Sequence, residues 1–154
     1  MRRQYVGGAQ SARLTASLGG ATTNLTITCN DLTNWPTGTG GRPFFVVVNR
    51  NTVSEEKILC ASRSGNTITV YDDGVLNGRG ADGTQIASHS SNSIIEHVFT
   101  ATDADEANEI VNLLSDTGND GDVLVKDSTS TANIKWEDIS SAQGTINPFL
   151  LMGA

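Results

Sequence analysis

The chain has 154 residues and a net charge of −7, with 16 Gly, 32 Ser plus Thr, 13 Asn and only three Lys. That length holds one domain and a short appendage, and the lack of clustered Lys and Arg argues against a general nucleic-acid role. No apolar run approaches the ~20 residues that span a bilayer, so no membrane partner is expected, and MRRQYVGGAQ has no apolar stretch of the kind a secretory signal needs.

Turn formers and Thr are abundant and strong helix formers are sparse. This predicts a mainly β fold, a small antiparallel β-sandwich or barrel with one short helix and extended termini. Four segments follow: an N-terminal arm (1–12), a β-module (13–100), a helix plus β-hairpin extension (101–145) and an apolar C-terminal docking tail (146–154).

The arm is small and polar apart from Tyr5 and Val6, and reads as a segment ordered only on a partner. RLTAS and NLTITC alternate apolar and polar residues, as half-buried strands do, with a turn at Gly19-Gly20 between them. DLTNWPTGTGGRP is a loop, and its Trp35 either closes one end of the module or stands out as an interface anchor. PFFVVVN is short, β-branched and continuously apolar, the pattern of a central strand covered on both sides.

EEKILCAS and NTITVY predict a hairpin around Gly65-Asn66, with Ile58, Cys60 and Ser62 on one face and Ile68 and Val70 paired with them. The long loop Asp72–Asn92 reads as functional or partner-bound. SIIEHVF is a closing strand. In ATDADEANEIVNLLSDTG the period becomes helical, with Asp103 as N-cap, Glu106 three residues on and Gly118 as the stop. DVLVKD and NIKWED predict a second hairpin. Phe149, Leu150, Leu151 and Met152 are apolar enough that they must dock, on their own domain or on a neighbour.

Charge is unevenly spread. Residues 1–30 carry Arg2, Arg3 and Arg13 and no acid, whereas 103–138 carry ten acids against Lys126 and Lys135. Such a basic front and acidic rear either attract one another between copies or serve solubility. Cys29 and Cys60 sit in apolar strand patterns and read as buried thiols of a reducing compartment, with a bridge as the alternative.

Candidate chemistry is thin, and no enzyme is expected. His89 and His97 offer bases, yet no ordered nucleophile signature accompanies them. Asp103, Asp105 and Glu106 suit a helix N-terminus, so they need no acid–base role. DTGNDGD has acids at several positions of a calcium loop, but Gly118 stands where an oxygen donor is required. GRGADG lacks the G-K-[ST] and the following helix of a phosphate loop and reads as a turn. No catalytic residue, metal or cofactor is predicted.

From Trp35 to Asn108 the series WPTGTGGRPFFVVVNR, SEEKILCASRSGNTITV, GRGADGTQIASHS and IIEHVFTATDADEAN resembles a module of tailed-bacteriophage virion proteins, especially minor tail and fibre-type structural proteins. About half the chain is covered. Glu55, Glu56, Lys57, Gly65, Asn66, Asp82, Gly83, Thr84, His89, Glu96, His97 and Val98 match the pattern, and Arg79 to Thr84 fit its Arg-Gly-x-Asp-Gly-Thr loop. The resemblance implies turn geometry and loop-to-strand contacts at these positions. It further implies a virion component made in the host bacterial cytoplasm, an oligomer (a trimer being one option) whose partners are other capsid, tail or fibre proteins. Only 46 residues follow Asn108, which favours a connector, a decoration protein or a short fibre over a receptor-binding fibre. A capsid decoration (cement) protein is the alternative. From another class comes a carbohydrate-binding module, with Trp35 and Trp136 as sugar platforms. The expected interaction residues are Arg2, Arg3, Tyr5, Trp35, Phe149, Leu150, Leu151 and Met152.

Overall fold

Strands β1 (Ala12–Arg13), β2 (Thr26–Thr28), β3 (Phe44–Val48), β4 (Glu56–Ser64), β5 (Thr67–Val70) and β6 (Ile94–Val98) form one antiparallel sheet in the order β1-β6-β3-β4-β5-β2. The structure is a computed structural model and describes residues 3–115, 122–126, 129 and 134–138. The chain divides into two units, Met1–Asp103 and Ala104–Ala154. The six strands belong to the first. Their sheet curls into a half-barrel whose edge strands meet. Leu14 bridges Cys29, with Thr15 N donating to Thr28 O at 2.9 Å and Asn30 N donating to Arg13 O at 3.0 Å. Edge groups that would otherwise invite foreign strands are thereby paired.

The apolar run of β3 is explained by its central place. Phe44, Val46 and Val48 face the barrel interior with Leu14, Ile27, Ile58, Ile68 and Ile95. Phe45 and Val47 face outward into a second cluster with Leu59 and Val98. A strand's side chains alternate between faces, so only a strand covered on both sides is apolar throughout.

The β4–β5 hairpin turns at Gly65-Asn66 as expected, and Gly65 takes a φ of 55°. One detail differs. Cys60 pairs with Val70 but Ser62 pairs with Thr69, so a bulge lies between them. The extra residue flips the pleat. Ser62 turns to solvent instead of sharing the face of Ile58 and Cys60. Arg63, now opposite Ile68, lies across the loop, donating from Nη2 to Trp35 O at 3.1 Å and from Nε to Pro36 O at 3.2 Å.

Helix α1 runs Ala101–Ser115. It starts earlier than the sequence suggests. Thr100, not Asp103, is the N-cap. Thr100 N donates to Asp103 Oδ2 at 2.9 Å, and Asp103 N donates to Thr100 Oγ1 at 3.3 Å. This is a capping box in which Asp fills the place usually held by Glu or Gln. In the second unit β7 (Asp122–Lys126) pairs antiparallel with β8 (Ile134–Asp138), the second expected hairpin. Arg2, the calcium-like loop at 116–121 with Gly118, and the tail 146–154 with Phe149, Leu150, Leu151 and Met152 lie outside the described residues.

Candidate functional site

Two polar constellations finish the barrel, one toward each end of β3. The first is built on Glu56, which pairs with Val48 across the β3–β4 ladder. Alternation along β4 gives Glu56 the same face as Ile58 and Cys60, so its carboxylate points inward and is fully buried. An unpaired carboxylate there would be prohibitively costly. Arg79 meets it in a two-pronged contact, Nε to Oε1 at 2.6 Å and Nη2 to Oε2 at 2.9 Å. Gly80 N and Ala87 N donate to the same oxygens at 2.9 and 3.1 Å. His89 Nε2 lies 2.9 Å from Oε2, and Asn49 Nδ2 lies 3.1 Å from His89 Nδ1. A neutral ring with its proton on Nε2 satisfies both contacts, donating to Glu56 and accepting from Asn49.

The remaining Arg79 donors go to backbone carbonyls: Gly19, Ala21 and Asn24 from Nη1, and Ala87 from Nη2. Burial alone would raise the Glu56 carboxyl. The hydrogen bonds from His89, Arg79 and Ala87, with the Arg79 charge, outweigh it and bring the group from 4.5 to about 2. The buried Glu56 carboxylate and the Arg79 guanidinium thus meet as an ion pair whose hydrogen bonds are made within the barrel.

This cluster explains the long loop. Asp72–Asn92 wraps its own barrel. Gly78 O accepts from Leu59 N at 2.8 Å, Ala81 bridges Lys57, and His89 bridges Leu18. Lys57 Nζ meets Asp82 Oδ2 at 2.6 Å, and Asp82 Oδ1 accepts from Thr102 N at 2.8 Å. Burial raises the Asp82 carboxyl, but Lys57 and Thr102 hold it at about 2.

The second constellation is aromatic. Trp35 is 3% exposed and its Nε1 donates to Gln10 O at 2.7 Å. His97 packs among Trp35, Phe44 and Tyr5, with ring centroids 6.0–6.4 Å apart. Burial lowers the His97 pKa, opposed by the carbonyls of Gln4 and Val6. Trp35 is thus a plug of the barrel. Of the two readings of Trp35, closure of one end of the module is the one its burial supports; neither an exposed anchor nor a sugar platform fits a ring without access to solvent.

The arm, expected to be ordered only on a partner, lies on its own barrel. Arg3 Nε approaches Asp103 Oδ1 at 3.2 Å without good hydrogen-bond alignment, and the guanidinium lies 5.1 Å from the Phe45 ring centroid. Gln4 N donates to Pro43 O at 2.9 Å, and Gln4 Oε1 accepts from Thr37 N and Gly38 N at 3.1 and 2.8 Å. Tyr5 stacks at 5.4 Å on Phe99 and stays half-exposed.

Of the expected interaction residues, the structure brings Arg3, Tyr5 and Trp35 to one end of the barrel. His89 and His97 are not brought together. Cys29 and Cys60 are free and buried, and burial pushes both thiols up, Cys29 to about 11. Among the described residues no group of three or more His, Cys, Asp or Glu could hold a metal ion, and no helix is long and apolar enough to cross a membrane. One surface depression of about 220 Å³ is lined by Arg50, Glu55, Lys57 and Phe99 among others. No protein-family model matches the chain, and no curated protein matches it.

Sequence reasoning missed the Glu56–Arg79–His89 cluster. The signal for Glu56 was its place in the inward phase of β4. For Arg79 no local signal exists, since its loop has no periodicity from which burial could be read.

Proposed function

We propose that the chain is a non-enzymatic structural protein of a tailed-bacteriophage virion, a tail or fibre connector that assembles as an oligomer with other virion proteins. The observation that carries this reading is the barrel filled at both ends. At one end the interior groups Glu56, Arg79 and His89 are committed to one another and to backbone, which suits a rigid mounting module better than a reaction vessel. The ordered series of motifs from Trp35 to Asn108 supplies the virion context. Fully exposed Val53 and Val75, with Leu76 and Phe99 more than half exposed, offer apolar contact points at loop tips. Two free buried thiols suit synthesis in a reducing bacterial cytoplasm.

The cement-protein reading shares these supports and differs only in where the chain sits on the particle. The sugar-binding reading loses Trp35 and keeps only Trp136. Mass spectrometry of gradient-purified particles tests the proposal. The chain is expected at a fixed ratio to the tail proteins across particle fractions. Its absence from particles would remove the structural reading and return the binding and enzymatic ones.

A further inference from the structure

The docked arm has the construction of an exchangeable strap. Its docking residues, Arg3 to Val6, sit on groups that need them. Asp103 has a side chain only 1% exposed, and its Oδ1 faces Arg3. Thr37 N and Gly38 N donate to Gln4 Oε1, and the Tyr5 ring packs 6.0 Å from the His97 ring. An empty site would leave these groups without their partners.

Behind the docking residues lies a link that packing does not hold. A Cβ on Gly7 would meet nothing within 4 Å, and one on Gly8 would meet only Asn34 Cβ at 3.9 Å. The chain is fixed again where Gln10 O receives Trp35 Nε1 and β1 begins. The site therefore requires an arm, and the Gly7-Gly8 link does not dictate whose. Beside the site, Tyr5 and Phe99 expose apolar rings in mutual contact, 45% and 61% exposed. A second barrel drawn against the first would cover them.

We propose that the surface formed by Pro43, Thr37-Gly38, His97, Phe99 and Asp103 is an interface for the arm of a second copy of this chain, and that arm exchange through Gly7-Gly8 links copies. The inference rests on the oligomer reading given above. Exchange keeps every docking contact and changes only which copy supplies the arm, so it costs little at high local concentration.

The test places p-benzoylphenylalanine at position 99, where it keeps the phenyl ring of Phe99, which is 61% exposed and lies beside Tyr5 of the docked arm. Equal amounts of unlabelled and nitrogen-15 protein are mixed, left to equilibrate and irradiated, and native mass is followed by light scattering. Exchange predicts that about half of the cross-linked pairs between position 99 and arm peptides join chains of different isotope, as random pairing requires. It also predicts products of twice the 16.2 kDa chain on a denaturing gel. Arg3→Ala is expected to lower the mixed yield about fivefold, equivalent to ~1 kcal/mol. Oligomers whose links all lie within single-isotope chains would overturn exchange and leave the oligomer reading intact. A monomer by light scattering with only such links would overturn both.

Discussion

Glu56 accepts five hydrogen bonds, from Arg79 Nε and Nη2, Gly80 N, Ala87 N and His89 Nε2. These bonds tie the long loop to β4 and close one end of the barrel. Glu56→Gln leaves Arg79 buried without its counter-charge, and removing one partner of a buried pair costs ~3–5 kcal/mol. Urea denaturation is expected to show a loss of that order; a loss below ~1 kcal/mol would show that the cluster is incidental. A pH dependence accompanies it. The carboxyl falls from 4.5 to about 2 on folding, so between those values the unfolded chain holds the extra proton. The stabilisation is complete above about 4.5 and is lost as pH falls through about 2. Denaturation midpoints of the wild type should decline across that window, and those of Glu56→Gln should decline less steeply. Half of this cluster was legible in the sequence. Alternation with Ile58 and Cys60 points Glu56 inward, and an inward carboxylate demands a partner. The partners lie 23 and 33 residues further on, in a loop where only tertiary folding decides which side chains turn in.

At the scale of elements, the capping box of α1 and the close approach of Gly78 are the sensitive points. Thr100 and Asp103 exchange hydrogen bonds at the helix start. Thr100→Ala is expected to cost ~1 kcal/mol, read as a lowered thermal midpoint; an unchanged midpoint would mean that Asp82, which accepts from Thr102 N, caps the helix alone. A Cβ on Gly78 would collide with the Leu59 carbonyl oxygen and approach Tyr71 O at 3.0 Å. Gly78→Ala should cost ~1–3 kcal/mol by overpacking and accelerate amide exchange at Leu59, whose N–H donates to Gly78 O; unchanged exchange there would contradict this role. The helix, the β4–β5 hairpin and the two-sided burial of β3 were legible because each is a local period or turn pattern. The helix start slipped by three residues because Thr100 and Asp103 both fit a cap, and only the backbone geometry chooses between them. The β4 bulge was illegible for a related reason. Ile58 to Ala61 are continuously apolar, so no break in alternation marks the flip, which appears only through the partner strand.

At the scale of the molecule, the first unit is a barrel with a charge cluster at one end and a Trp35–His97 plug under an arm at the other. A small antiparallel β-sandwich or barrel follows from composition and strand spacing, and the pairing of its edge strands decides for the barrel. The seating of the arm does not follow from the sequence, because a short polar segment carries no pattern that distinguishes its own barrel from a neighbour's. The proposed role of this barrel is to mount a virion component near the tail. Cryo-electron density of purified particles tests that most directly. Density fitting the six-stranded barrel is expected at the tail or fibre attachment region, in copies that are multiples of three or six. Density for the barrel nowhere on the particle would contradict it, and on the order of hundreds of copies on the capsid lattice would replace the connector with a cement protein.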